Sequence, residues 1–225
     1  FGYIDIPDVD QKILPTLLET ERIPLAQFAG GFVIGKFHSA GWQWVDSINV
    51  SEWSPSQIGL FFSYLPGSSE TWKRVSTLLK ENESPYWSKA NVIFFKVDDD
   101  DLEFVVDHLL QYGRPNEAIS FLYTTWNRTK NLNTELAIKS LLASINSTEN
   151  ISTVDTYEIT EIIKALQNDT GINPDEIFKI EWAYLPLLNQ YGGTTSPKFL
   201  ELKLASTPGF FCEVIRAIFR SKKDE

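Results

Sequence analysis

Five times along this chain a Ser, Thr or Asn stands directly before a proline at the head of an apolar run: SPSQ at 54, SPYW at 84, NPDE at 173, SPKF at 196 and TPGF at 207. The first four amide donors of a helix have no intrahelical acceptor. A side-chain oxygen at the N-cap satisfies one of them, and a proline at the next position gives up no useful donor. The pattern predicts helix starts near Ser54, Ser84, Asn173, Ser196 and Thr207. Gln57 and Glu176 stand three residues after their caps, where a side chain can reach back to the cap amide and close a capping box.

Between these starts, apolar residues recur at spacings of three and four, and strict alternation is almost absent. This predicts further helices at about 9–20, 24–39, 69–80, 98–112, 114–128, 133–145 and 154–168. In DDDDLEFVVDHLLQYG the positions Leu102, Val105, Val106, Leu109 and Leu110 line one face. Asp98 to Asp101 lie at the start, where negative charge suits the helix dipole. The next stretch, QYGRPNEAISFLY at 111–123, puts Gly113 where a left-handed cap is wanted and Pro115 in the first turn of a following helix. It reads as helix, bend and antiparallel helix, not as a ligand-gripping loop.

About a dozen short helices without a convincing strand make the chain all-α. Hairpins with apolar faces on both sides must stack to bury them, so an irregular TPR-like or HEAT-like solenoid is expected, with a compact helical bundle as the alternative. No repeat of fixed period is present. Residues 1–225 read as one helical-repeat region. The start at Phe1 and the absence of methionine suggest a piece of a longer polypeptide, with NSTENIST at 146–153 as its best candidate hinge.

Composition excludes several functions. Thirty acidic residues against twenty basic leave a net charge of -10, which repels a phosphate backbone and speaks against nucleic acid or an anionic membrane as partner. The longest apolar run, Phe28 to Phe37, is interrupted by Gly30, Gly31, Gly35 and Lys36, so no transmembrane segment is expected, and no stretch reads as a signal peptide. Cys212 alone cannot form an internal disulfide, which fits a reducing cytoplasm. Asn-x-Ser/Thr occurs at Asn49, Asn82, Asn127, Asn146, Asn150 and Asn168. These read as ordinary caps and turns in preference to glycan acceptors.

Chemical motifs are scarce. His38 and His108 are the only histidines, and neither has a chelating partner at i+3 or i+4; the Asp98 to Asp101 run lacks the glycine and glutamate of an EF-hand. No metal or cofactor is therefore expected. AGGFVIGK at 29–36 fails the P-loop spacing, and its small residues suit close approach of two helix backbones. Cys212, flanked by Phe210, Phe211, Val214, Ile215 and Ile218, reads as a core or interface position and is expected to be buried. A catalytic role would have to rest on carboxylate or lysine chemistry, for which no motif stands out.

Aromatic residues are the chain's excess. Trp72, Trp87, Trp126 and Trp182 fall in phase with apolar neighbours and are expected in the core. GWQWVD at 41–46 alternates two tryptophans beside a glycine, which makes Trp42 and Trp44 the candidate anchors for a partner.

The stretches LEFVVDHLLQYGRPNEAISFLY, GINPDEIFKIEWAYLPLLNQY and SPKFLELKLASTPGFFCEVIRAIFR resemble the helical-repeat region of long, poorly characterised bacterial proteins. Proteins of that general architecture include NACHT- or STAND-type antiphage proteins, in which an N-terminal effector or NTPase module precedes C-terminal repeats that sense a ligand. The resemblance implies a non-catalytic sensor or scaffold that binds a protein or peptide, one with a basic patch given the net charge. The reading from another class is a carboxylate-dependent hydrolase or transferase on a helical fold.

Overall fold

The computed structural model describes residues 9–92, 95, 97, 99–147, 156–188 and 195–218. Among them are twelve α-helices, a short π-helical turn at Val9–Ile13 and no strand. Contacts divide the chain into two compact units, Phe1–Tyr112 and Gly113–Glu225, where the sequence suggested one continuous region. The expected hinge at 146–153 falls inside the second unit. Asn146 caps the end of a helix there, and 148–153 lie outside the described residues.

The first unit holds α1 (Leu14–Leu18), α2 (Ile23–Ser47), α3 (Pro55–Ser63), α4 (Ser69–Leu79), α5 (Ser84–Trp87) and α6 (Asp99–Gln111). The helix α3 is its hub and packs against α1, α4 and α5. Its start is the expected capping box: Ser54 Oγ accepts from the Gln57 amide at 3.2 Å, and Gln57 Oε1 accepts from the Ser54 amide at 2.7 Å. At Gly59 an added Cβ would lie 2.4 Å from the Pro85 carbonyl carbon, so α3 and α5 meet backbone to backbone. Gly30, expected in such a role, instead faces a side chain, since a Cβ there would sit 2.9 Å from the Tyr64 ring.

Aromatic rings fill much of this unit. Trp72 and Trp87 stack with centroids 6.2 Å apart, Phe104 lies 5.1 Å from Trp72, and His108 lies 4.7 Å from Trp87. Thus His108 is a packing residue, its Nδ1 within 2.7 Å of the Phe104 carbonyl oxygen, whereas His38 is exposed.

The second unit holds α7 (Pro115–Thr129), α8 (Thr134–Ile145), α9 (Thr156–Leu166), α10 (Pro174–Leu188), α11 (Lys198–Ser206) and α12 (Pro208–Ile218). In α9 the residues Ile159, Ile162, Ile163 and Leu166 repeat at three and four, and all four are buried. They meet Leu141 of α8 and Ile177, Ile180 and Tyr184 of α10. The Tyr184 hydroxyl donates to the Leu141 carbonyl at 3.3 Å, and its burial pushes the phenol above its ordinary range.

Gly113 has φ +73°, the left-handed conformation its position demanded, and Pro115 opens α7. The Arg114 guanidinium pairs with Glu117 at 3.3 Å, one turn into the helix. Two other expected caps work differently. Glu83, not Ser84, occupies the N-cap of α5, and Pro197, not Ser196, that of α11. Proline has no side-chain acceptor, so another residue takes over the cap of α11.

Candidate functional site

The two tryptophans singled out by their alternation sit beyond a break in α2. Gly41 adopts φ 59° and ψ -149°, a region reserved for glycine, and turns the last limb of the helix inward. Trp44 is thereby only 7% exposed. Its Nε1 donates to Asp10 Oδ2 at 2.8 Å, and its ring packs against Phe32 and Phe61. It is a core residue, not the exposed anchor that its alternation suggested. Trp42 is half-buried, with Phe37 edge-on at 5.0 Å and the Arg74 guanidinium 4.2 Å from its ring centroid. Arg74 is held there by Asp46, with two contacts of 3.1 Å, and by Glu70. A cation–π contact of this kind covers one face of the ring.

The buried carboxylates serve the fold. Glu83 accepts from Trp87 Nε1 at 2.9 Å through one oxygen and from Ser76 Oγ through the other. Fully buried Glu181 accepts from Gln167 Nε2 at 2.6 Å and from the Leu200 amide at 2.7 Å. The second bond supplies the cap that Pro197 cannot, because Leu200 lies in the first turn of α11. Burial moves the Glu181 carboxyl above the usual carboxylate range, although the bonds from Leu200 and Gln167 oppose the shift. Both oxygens of each carboxylate are engaged by donors of the fold. Among the described residues no group of three or more His, Cys, Asp or Glu gathers as a metal site would require.

Several large apolar side chains are exposed in each of two places: on α2, at Ile23, Leu25, Phe28 and Ile34, and on α10 to α12. Trp182, expected in the core, is 46% exposed and meets Phe210 edge-on at 5.8 Å. Phe210 also packs edge-on against Phe178 at 5.1 Å, which ties α12 to α10. On α11 and α12, Leu202 is 61%, Phe211 49% and Ile215 39% exposed. Cys212 is exposed too, which corrects the expectation that its apolar neighbours would bury it. The apolar spacing of α12 is that of a packed face; among its described side chains Phe210 and Val214 are half-buried, while Phe211 and Ile215 are exposed. One sign of this was readable in LELKLAS. Leu200, Leu202 and Leu204 step by two residues, a turn of about 200° per step on a helix, so they cannot share one buried face. Leu200 is the one that is buried.

The five sequon asparagines within the described residues, Asn49, Asn82, Asn127, Asn146 and Asn168, are all exposed; Asn150 lies outside them. Three of these side chains make local bonds. Asn49 Oδ1 accepts from the Ser51 amide, and Asn146 and Asn168 each donate Nδ2 to the carbonyl four residues before. Among the described residues no helix is long and apolar enough to cross a membrane. Comparison with known proteins returns no matching family model, no matching curated protein and no matching solved structure.

Proposed function

We propose that this chain is a non-catalytic helical module that recognises a protein partner through α10 to α12, as a sensor or scaffold within a larger bacterial, antiphage-type cytoplasmic protein. The observation that carries the reading is the group of four large apolar side chains, Trp182, Leu202, Phe211 and Ile215, left exposed on three consecutive helices. Large apolar groups left exposed on neighbouring helices are a feature of interaction surfaces. Stacked hairpins of the TPR or HEAT kind present such faces. The packing of α7 on α8, α8 on α10, α10 on α11 and α11 on α12 supports that arrangement within the second unit. The engagement of Glu83 and Glu181 in structural bonds supports a binding role over carboxylate catalysis.

The partner surface that fits is an apolar helix or ridge flanked by basic residues, because the net charge of -10 steers a cation-rich protein toward this chain. The test uses Cys212 as a handle on the surface itself. A thiol-linked photocrosslinker placed there should capture one protein species from the native cell, and Trp182→Ala or Phe211→Ala should abolish the capture while Trp42→Ala leaves it intact. Association of the identified partner should slow as salt rises. Capture that persists in both variants, or an encounter rate indifferent to salt, refutes the assignment.

A further inference from the structure

A second surface in the first unit has the features of a small-molecule site. Between α2, the end of α3 and the segment that follows α5 lies a cavity of about 630 Å³, within the size range of sites that take drug-sized ligands. Ile34, Phe37, Leu60 and Leu65 make its floor. Its walls are two rings fixed from behind. The Tyr64 ring lies against Gly30, and its hydroxyl donates to the Ala26 carbonyl at 3.4 Å. The Phe95 ring lies on Gly67, where a Cβ would come within 1.9 Å of it, and tilts against Trp72 at 5.9 Å. An inward swing of either ring would break these contacts.

Charge decides the ligand class. In a chain with ten more acidic than basic residues, no Asp or Glu among the described residues lines this cavity, while Lys89 and His38 do. Among the described residues no carboxylate pairs with the Lys89 ammonium, unlike Arg74, Lys164 and Lys203, each of which has an acidic partner. Asn91 and Ser63 add hydrogen-bonding groups at the same cavity. An apolar floor beneath an uncommitted cation fits a molecule with an apolar body and an anionic head.

We propose that this cavity binds a small amphiphilic carboxylate, with its chain over Ile34, Phe37 and Leu60 and its carboxylate at Lys89, the His38 imidazole serving as a further donor. Burial of successive methylenes on the floor tightens binding about fourfold each.

The test is titration calorimetry on the full chain with hexanoate, octanoate and decanoate below their micellar concentrations, with decanol and decylamine as controls. The expected result is saturable binding that strengthens with chain length. Decanoate should bind at least tenfold more tightly than decanol, and decylamine should be weakest. Lys89→Glu should lower decanoate affinity tenfold or more. Ser63→Trp, on the half-buried rim of α3, should fill the cavity and abolish binding without changing the urea midpoint. Absence of saturable binding, equal affinity for decanoate and decanol, or decanoate binding unaltered by Ser63→Trp would overturn the proposal. Tighter binding of an apolar pentapeptide with a free C-terminal carboxylate would overturn its small-molecule assignment.

Discussion

Glu181→Ala should release the start of α11. The wild-type carboxylate holds two donors, the Leu200 amide and Gln167 Nε2, at 2.7 and 2.6 Å inside a site that water does not reach. Alanine leaves the Leu200 amide without an acceptor and leaves Gln167 with its bond to the Ser196 carbonyl at 2.8 Å. A buried donor left unsatisfied costs about 1–3 kcal/mol, and the truncated side chain leaves a void besides. Against this, the variant no longer desolvates a charge, a burden shown by the raised carboxyl. The net expectation is a loss of about 3 kcal/mol. Glu181→Gln keeps the shape and one acceptor, loses the other and also sheds the charge, so about 1 kcal/mol is expected.

The sign of the pH dependence follows from the burial of this carboxyl, which outweighs those two bonds. A carboxyl whose native pKa is raised contributes stability that is fully present below the ordinary glutamate range and is lost as pH rises through the raised native value. Wild type should therefore gain stability relative to Glu181→Gln as pH falls across that window. Urea unfolding at several pH values, with amide hydrogen exchange at Leu200, measures both effects. Equal urea midpoints for wild type and Glu181→Ala, with Leu200 protection unchanged, would refute the capping argument.

Three other perturbations separate local causes. Gly113→Val should lower stability by about 1–2 kcal/mol in urea, since a Cβ there meets open space and only the left-handed backbone at φ +73° resists it; Gly113→Asn should cost less. Trp44→Ala should cost about 3–5 kcal/mol as a core truncation that also strands Asp10 Oδ2, and near-neutral behaviour would contradict its burial. Cys212 should react with a disulfide reagent in the native protein as readily as in the urea-unfolded chain, and protection until unfolding would show that its helix is covered.

Helix positions were legible because their signals are local. The Ser54 and Gln57 box depends on four consecutive residues, and the bend at Gly113 on one dihedral and one proline. The exposure of each tryptophan was not legible, because it depends on which neighbour arrives. Trp44 and Trp182 both lie among apolar residues on helices. A kink at Gly41 swings the first onto Phe32 and Phe61, while no described element closes over the second. Glu181 gave no sequence signal as a cap either, since the helix it caps begins at Lys198, far beyond it in the chain. The apolar cavity of the first unit draws its lining from segments between Ile34 and Phe95, a separation that periodicity does not address.

The meeting of α3 and α5 at Gly59 also sets what the chain can tolerate over many generations of substitution. A Cβ at 59 would lie within 2.6 Å of three Pro85 atoms, two of them main-chain, and no side-chain rotamer relieves a clash between backbones. In a saturation library read out by folding, position 59 should retain glycine alone. Position 31, also a helical glycine but with open space around its Cβ, should accept most residues and favour alanine, whose helix propensity is better by about 1 kcal/mol. Two glycines of one unit, alike to any propensity scale, would then mark opposite extremes of mutational freedom, and their contrast would report the spacing between two helix axes without any direct measurement of distance.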